Sequence, residues 1–334
     1  MATRENILLI RLKSIGDIVL TLPAVHAVRE NFPDAKLHFL VSKEHAQLLR
    51  GFSEMDEIIP VDRAIYRSGN LKTIGAATVK LLRELRARNF SLAIDFQGYG
   101  ETEWLSWWSG APERWGNVYQ ARRGWTYTRG VRHNNKIQIA DWNLSLLQQC
   151  GLEISEIRNE YVLPAEALAE ARQFFTANNL DAAKPTLFIQ PFTSSRHKNW
   201  PLENYLALTR HFHSRGAQII FGGGPSERNA LDPVRAAGFP ISAGAPLLVG
   251  AGLMQLSTLV VGGITGLLHL AVAMQKRVVM LVGYPTRELG FPYQHREWAV
   301  TSAAGGNVSE IKTGAVIEAC ENALADKRAL EDCS

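Results

Sequence analysis

Ile7-Leu-Leu-Ile-Arg-Leu-Lys13-Ser-Ile-Gly16-Asp17 is the stretch that decides the fold class. Its first six residues are a short apolar run rich in strand formers and read as a buried strand, and the next five are a polar loop. Ile18 to Asn31 then carry Val19, Leu22, Val25, His26 and Val28 at helical spacing, closed by Pro33. Lys36 to Val41 is a second strand, Glu44 to Arg50 a short helix, and Glu57 to Val61 a third strand. Ile74 to Arg88 is an amphipathic helix, and Leu92 to Phe96 a strand ending at the polar turn Gln97-Gly98. Strands that alternate with helices are joined by crossovers and pair in parallel. The rhythm breaks over the aromatic and basic residues that follow, where no element is assigned.

The pattern restarts after Pro164. Ala165 to Asn178 is helical, Pro185 to Gln190 a strand, and Pro201 to Arg215 a helix with proline at its start. Strands beginning at Gln218 and Leu259 run into glycine loops, with helices over Glu227 to Ala237 and Leu267 to Met274. Val278 begins the next strand, and residues 314–329 read as a closing helix. A chain of 334 residues is comfortable for two domains. The expected organisation is an α/β N-terminal domain over residues 1–165, an α/β C-terminal domain over 166–313, and a helical tail over 314–334 that packs back on the first domain.

Hydrophobic residues make up 46% of the chain and charged residues 20%, the balance of a soluble globular protein. No apolar run reaches the roughly 20 residues of a membrane-spanning helix, and the first apolar stretch is too short for a signal peptide. Cys150, Cys320 and Cys333 are few, scattered and odd in number, so neither a disulfide framework nor a zinc site is expected. The expected compartment is the cytoplasm. The net charge of +4 is uneven: residues 1–150 hold 20 Lys+Arg against 15 Asp+Glu, and residues 151–334 hold 16 against 17. Arg114, Arg122, Arg123, Arg129, Arg132 and Lys136 share one stretch with no acidic residue. Trp115, Tyr119, Trp125 and Tyr127 are interleaved there, with Trp104, Trp107 and Trp108 upstream. Such a segment is either a solvated face beside a core or a surface for anionic headgroups or a phosphorylated glycan. Nucleic acid is not an expected partner, since no nucleic-acid module accompanies the segment.

Four turns hold residues with chemistry to offer. Lys13, Gly16 and Asp17 sit where the first strand hands over to the first helix, the edge at which open α/β sheets bind ligands. Asp17 is either a proton acceptor or a helix N-cap. Thr193-Ser194-Ser195-Arg196-His197-Lys198-Asn199-Trp200-Pro201 lies between a strand and a proline-started helix. Its hydroxyls, N–H groups and lysine suit a diphosphate, although a solvated basic loop has the same composition. In Phe221-Gly-Gly-Gly-Pro-Ser-Glu227 the glycines admit a ligand closely, and Glu227 either binds ribose hydroxyls or complements a helix start. Gly262-Gly-Ile264-Thr265-Gly266-Leu-Leu-His269 puts Thr265 and Gly266 at a helix N-terminus. His269 falls one turn along, where a lone histidine among leucines reads as core. Neither GxGxxG nor a Walker lysine occurs, which weakens dehydrogenase and NTPase readings. No HExxH, Asp-X-Asp or Gly-X-Ser-X-Gly suggests a metalloenzyme or a serine hydrolase.

In this order the segments resemble glycosyltransferase family 9, the heptosyltransferases of lipopolysaccharide core assembly, from Ile7 to about Trp298. The likeness is carried by the opening stretch through Val25, by Ala93-Ile-Asp-Phe-Gln-Gly98 and by Lys198-Asn-Trp-Pro201. Phe221 to Glu227 and Thr265-Gly-Leu-Leu-His-Leu-Ala-Val-Ala273 complete it. The resemblance implies a GT-B fold, two Rossmann-like domains with mostly parallel sheets facing across a cleft. It implies an ADP-heptose donor on the second domain and a lipid-linked oligosaccharide acceptor on the first. Carried over, Asp17 is the general base of an inverting, metal-independent transfer. Thr193, Ser194 and Lys198 meet the diphosphate, Glu227 the ribose, and Thr265, Gly266 and His269 the donor phosphates. No cofactor is implied, because the nucleotide sugar is a substrate. Peripheral contact with the inner membrane through residues 104–136 is the further partner expected. Where the family has an acidic residue directly before Thr-Gly, this chain has Ile264, which leaves the sugar open. The alternatives are a transferase using another nucleotide sugar for a different surface glycan, and a nucleotide-sugar-binding protein without transferase activity.

Overall fold

The computed structural model describes residues 5–283, 289–303 and 305–325. The chain divides after Asn159 into two units. In the first, the opening apolar run forms β1 (Asn6–Ile10), in which Ile7 to Ile10 are fully buried. It lies between β2 (Lys36–Ser42) and β4 (Leu92–Asp95), with β3 (Glu57–Val61), β5 (Glu113–Val118) and β6 (Arg129–Arg132) further out. The order is β3-β2-β1-β4-β5-β6 and every pairing is parallel. Central strands of such a sheet are covered on both faces, which is why β1 reads as an unbroken apolar run rather than an alternation.

The helices of this unit are α1 (Ile15–Val19), α2 (Leu22–Asn31), α3 (Arg63–Ser68), α4 (Leu71–Ala87), α5 (Gly100–Trp108) and α6 (Ile139–Gln149). The single helix expected over Ile18 to Asn31 is therefore two. Pro23 has no N–H to continue the ladder and its ring crowds the carbonyl four residues back, so the chain restarts a helix with proline in the first turn. The aromatic and basic stretch that resisted assignment supplies α5, β5 and β6. Its strands are short and carry arginines, glycine and asparagine, so local propensity does not announce them; pairing against β4 does.

The second unit has β7 (Thr186–Gln190), β8 (Gln218–Phe221), β9 (Leu259–Gly263), β10 (Val278–Val282) and β11 (Ala299–Thr301), in the order β11-β10-β9-β7-β8 and again parallel. Its helices are α7 (Ala165–Ala177), α8 (Leu202–His213), α9 (Asp232–Ala236), α10 (Leu247–Leu256), α11 (Gly266–Ala273) and α12 (Thr313–Ala325). The core gathers Leu187, Ile189, Trp200, Tyr205, Phe221 and Leu281. The division after Asn159 falls six residues before the expected boundary at 165/166. The closing helix is described as far as Ala325. Val316, Cys320 and Ala323 form one helical stripe, and that stripe is buried in the core of the second unit. Residues 326–334 lie outside the described residues.

Each sheet reverses its strand order beside its own first strand, between β1 and β4 in one unit and between β7 and β9 in the other. Crevices at the carboxyl ends of strands flanking such a switch are where open α/β sheets take ligands.

Candidate functional site

At the switch of the first unit, the loop after β1 carries Lys13, Gly16 and Asp17, and the turn after β4 carries Gln97 and Gly98. Asp17 is 30% exposed at its side chain and pairs, at 2.5 Å, with the guanidinium of Arg11, which is only 3% exposed. Arg11 Nη1 also donates to Phe96 O at 2.7 Å and its Nε to Lys13 O at 3.0 Å. A buried guanidinium with one carboxylate and two carbonyls around it is satisfied, and it fixes the side chain it pairs with. Asp17 Oδ2 further accepts the Ser14 N–H at 3.3 Å; Ser14, not Asp17, is the N-cap of α1, and the Asp17 carboxylate reaches back to it from the third helical position. Gly16 lies inside α1 and is half-buried. Lys13 Nζ faces Glu101 at 3.8 Å, and Glu101 also takes Arg63 at 3.0 Å. Tyr119 stacks on His133 with ring centroids 3.9 Å apart. Burial, reinforced by the charge of Arg11, lowers the pKa of His133.

The turn after β4 braces this loop. Gln97 Oε1 accepts the N–H groups of Leu12 (2.9 Å) and Lys13 (3.2 Å). Asp95, fully buried, accepts from the N–H groups of Gln97 and Gly98 at 2.9 and 3.0 Å and from the Tyr127 hydroxyl at 2.7 Å. Gly98 has φ +67°, and a Cβ there would stand 2.1 Å from Asn117 O, so only glycine closes this turn. Desolvation raises the pKa of Asp95 above the ordinary aspartate value, outweighing its hydrogen bonds. A raised folded-state pKa gives stability that is complete below the unfolded value, near 4, and is lost as pH rises through the folded one. We expect Asp95→Asn, which can still accept the two N–H groups, to remove that decline from a plot of unfolding free energy against pH. An unchanged slope would show that Asp95 does not carry it.

At the switch of the second unit, Thr193 and Lys198 follow β7, and Thr265 and Gly266 follow β9. Gly263 allows the two loops to meet: a Cβ there would stand 2.8 Å from Thr193 Cγ2 and 3.2 Å from Lys198 O. Thr193 N–H donates to Asn199 Oδ1 at 2.8 Å and its hydroxyl to Ser195 O at 2.9 Å. Trp200 is 2% exposed and its Nε1 donates to Ile311 O at 2.8 Å. Asn199 and Trp200 thus shape the turn that presents Lys198, which is half-buried, while Ser194 is exposed. Thr265 is the N-cap of α11, accepting the Leu268 N–H at 3.2 Å, with Gly266 as the first helical residue. His269 is 6% exposed among the buried leucines of α11. Glu227 Oε2 accepts the Gly224 N–H at 2.6 Å, so its carboxylate closes the glycine turn after β8.

The basic and aromatic segment splits in two. Trp115 and Tyr127 are interior, and Arg114 and Arg129 are engaged by backbone, Arg114 with Thr126 O and Ala111 O, Arg129 with Cys150 O. Trp104, Trp107 and Trp125 remain 41%, 40% and 58% exposed and touch one another edge to face, with Arg132 and Lys136 exposed. The side chains of Arg122 and Arg123 lie outside the described residues. Among the described residues no helix is long and apolar enough to cross a membrane, and no group of three or more His, Cys, Asp or Glu is placed to hold a metal ion.

Arg11, Asp95, Gln97 and Gln190 were not singled out from sequence. Arg11 and Gln190 each stand as the one polar residue near the carboxyl end of a buried strand, and that is the signal they offered. Gln190, 5% exposed, sits against Gly222, and its Oε1 is buried with no hydrogen-bond partner among the described residues.

The family model for glycosyltransferase family 9 (heptosyltransferase) matches residues 78–318. The chain is 22% identical to the lipopolysaccharide core heptosyltransferase OpsX of Haemophilus influenzae, over 67% of this chain and 61% of that protein. It is 24% identical to lipopolysaccharide heptosyltransferase 1 of Escherichia coli, over 97% and 99%. Among solved structures, a family 9 glycosyl transferase from Veillonella parvula superposes with a TM-score of 0.86 at 20% identity, covering 96% of this chain and 97% of that one. Escherichia coli heptosyltransferase WaaC with ADP-2-deoxy-2-fluoro heptose gives 0.77 at 22%, covering 95% and 99%. These superpositions establish the fold.

Proposed function

This chain belongs to glycosyltransferase family 9 and is a glycosyltransferase of the GT-B fold, and from that premise we propose that it moves a heptose from ADP-heptose onto a lipopolysaccharide core acceptor with inversion at the anomeric carbon. The observation that carries the reading is Asp17, a partly exposed carboxylate held by the buried Arg11 at the switch point of the first sheet. The acceptor hydroxyl oxygen attacks the anomeric carbon from the face opposite the nucleotide, and its proton passes to Asp17. The bond from that carbon to the phosphate oxygen breaks, and its electron pair leaves on ADP. Lys198, Thr193, Ser194 and the N-terminus of α11 at Thr265-Gly266 meet the charge that develops on the leaving diphosphate, with no metal in the scheme. Lys13 and Gly16 border the acceptor hydroxyl, and Glu227 the ribose. The donor is supported by the relatives' names and by the ADP-heptose analogue complex.

Incubation with ADP-heptose and a heptose-free core acceptor in EDTA is expected to give a product whose anomeric configuration is opposite to the donor's, at the rate seen without chelator. A retained configuration, or loss of turnover in EDTA, would overturn inversion or metal independence respectively. Ile264, half-buried between β9 and Thr265, supplies no carboxylate to the sugar and favours a second reading, a different nucleotide sugar. The same assay with a panel of nucleotide sugars decides between them, and binding of ADP-heptose without turnover on any acceptor would leave a binding protein.

The proposal places the protein in the cytoplasm, at the inner face of the membrane that holds its acceptor. Exposed Trp104, Trp107 and Trp125, with exposed Arg132 and Lys136 in the same stretch of sequence, support peripheral contact. Trp107→Ser with Trp125→Ser is expected to release the protein from phosphatidylglycerol vesicles in a sedimentation assay; undiminished binding would sink this contact.

A further inference from the structure

In the first unit, α3, α4 and α5 border a half-open cavity of about 430 Å³ that plays no part in the chemistry above. Its walls are mostly apolar, with Leu12, Val61, Leu81, Leu82, Trp104 and Trp108 among the lining residues. A more open groove runs on from it along α4, sharing Leu82 and Trp108 and adding Val79, Arg83 and Arg86.

The charge around these walls is one-sided. Arg63, Arg67, Arg83 and Arg86 line them against Glu101 alone. Arg63 is neutralised by Glu101, and Arg86 donates to Trp108 O at 3.3 Å. Arg67 and Arg83 are exposed and make no ion pair among the described residues. Apolar walls beside unpaired guanidinium groups complement an amphiphile, with an alkyl chain for the cavity and an anion for the rim. A free sugar or an extended peptide would leave its own polar groups unmatched there.

The position of the cavity selects among amphiphiles. Leu12, in its wall, immediately precedes Lys13, and Glu101, another lining residue, lies 3.8 Å from the Lys13 ammonium. A molecule seated in the cavity therefore lies against the residues that lead into the loop carrying Asp17. We propose that the cavity takes one acyl chain of the lipid that bears the acceptor glycan, with an anionic group of that lipid on Arg67 and Arg83. The proposal rests on the reading of Asp17 as the base that serves that acceptor. The cavity anchors the lipid, so the glycan reaches the base as one end of a tethered molecule rather than as a free solute.

Two forms of one acceptor, acylated and deacylated, both presented in the same detergent micelles, test this. The wild-type chain is expected to show a KM for the acylated form lower by about tenfold, the worth of about two buried methylenes. Leu82→Phe, which narrows the cavity where it meets the groove along α4, and the double variant Arg67→Gln with Arg83→Gln are expected to raise that KM towards the deacylated value. Both should leave kcat on the deacylated acceptor unchanged. An absent preference in the wild type, or one undiminished in both variants, overturns the proposal.

Transfer to neither acceptor would refute the transferase reading instead, and the cavity is then judged by binding. Dodecyl phosphate below its micelle concentration should change the tryptophan fluorescence saturably, about tenfold more weakly in Leu82→Phe, while inorganic phosphate should not. No change with dodecyl phosphate, or equal binding by a folded Leu82→Phe, overturns the site. Loss of phosphatidylglycerol vesicle binding in Leu82→Phe with the acyl preference intact would assign the cavity to a bilayer lipid and overturn the occupant named here.

Discussion

Asp17→Asn is expected to lower kcat for heptose transfer by about three orders of magnitude while leaving the affinity for ADP within about twofold, the range that loss of a general base produces. Asparagine is the informative substitution because of Arg11. The guanidinium is 3% exposed and leans on Asp17, Phe96 O and Lys13 O. Alanine at position 17 would strip it of its counter-charge and leave a buried cation short of a partner, at a cost of about 3–5 kcal/mol when such a pair is broken. Loss of activity would then report misfolding as readily as chemistry. The asparagine amide oxygen still accepts from Arg11 and still fits the turn, but it takes no proton. Transfer rates measured with saturating donor, beside the Kd for ADP by calorimetry, separate the two effects. Turnover near the wild-type rate would remove Asp17 as the base.

Lys198→Ala is expected to raise the Kd for ADP by about tenfold, or about 1.4 kcal/mol, and to lower kcat/KM by a further one to two orders of magnitude. The two numbers differ because charge on the diphosphate grows as the glycosidic bond breaks, so a cation there favours the transition state over the ground state. The fold should tolerate the change. The turn bearing Lys198 is held by Asn199 on the Thr193 N–H and by Trp200 on Ile311 O, not by the lysine side chain. The ammonium has no ion-pair partner among the described residues, so its loss orphans no carboxylate. Calorimetry with ADP and initial rates with ADP-heptose are the measurements. Unchanged affinity together with unchanged turnover would free Lys198 of any donor role.

The candidate site was legible in the sequence to the extent that function sits at the ends of strands. Asp17, Thr193, Lys198 and Thr265 could be marked because each follows a recognisable apolar run, and the structure places each at a switch point of its sheet. Their local roles could not be told apart in advance. Glu227 and Thr265 proved to be bonded to the backbone of their own turns, and Asp17 proved to back up the Ser14 cap from the third helical position while pairing with Arg11. A cap and a catalytic group use the same residue types at the same helix starts, because both answer unpaired N–H groups.

Periodicity and punctuation by themselves determined that this chain is a parallel α/β protein in two parts, because a buried parallel strand must be continuously apolar and its crossover helix must have one apolar stripe. What only the tertiary structure decided was which turns become neighbours. Phe96 and Gln97 brace the β1 loop across a separation of 84 or 85 residues, and Gly263 meets the Thr193 loop because β7 and β9 are adjacent in space. The aromatic and basic stretch became two strands only because β4 offered an open edge. Strand order is set by the packing of whole layers, and a local pattern of residues carries no record of it.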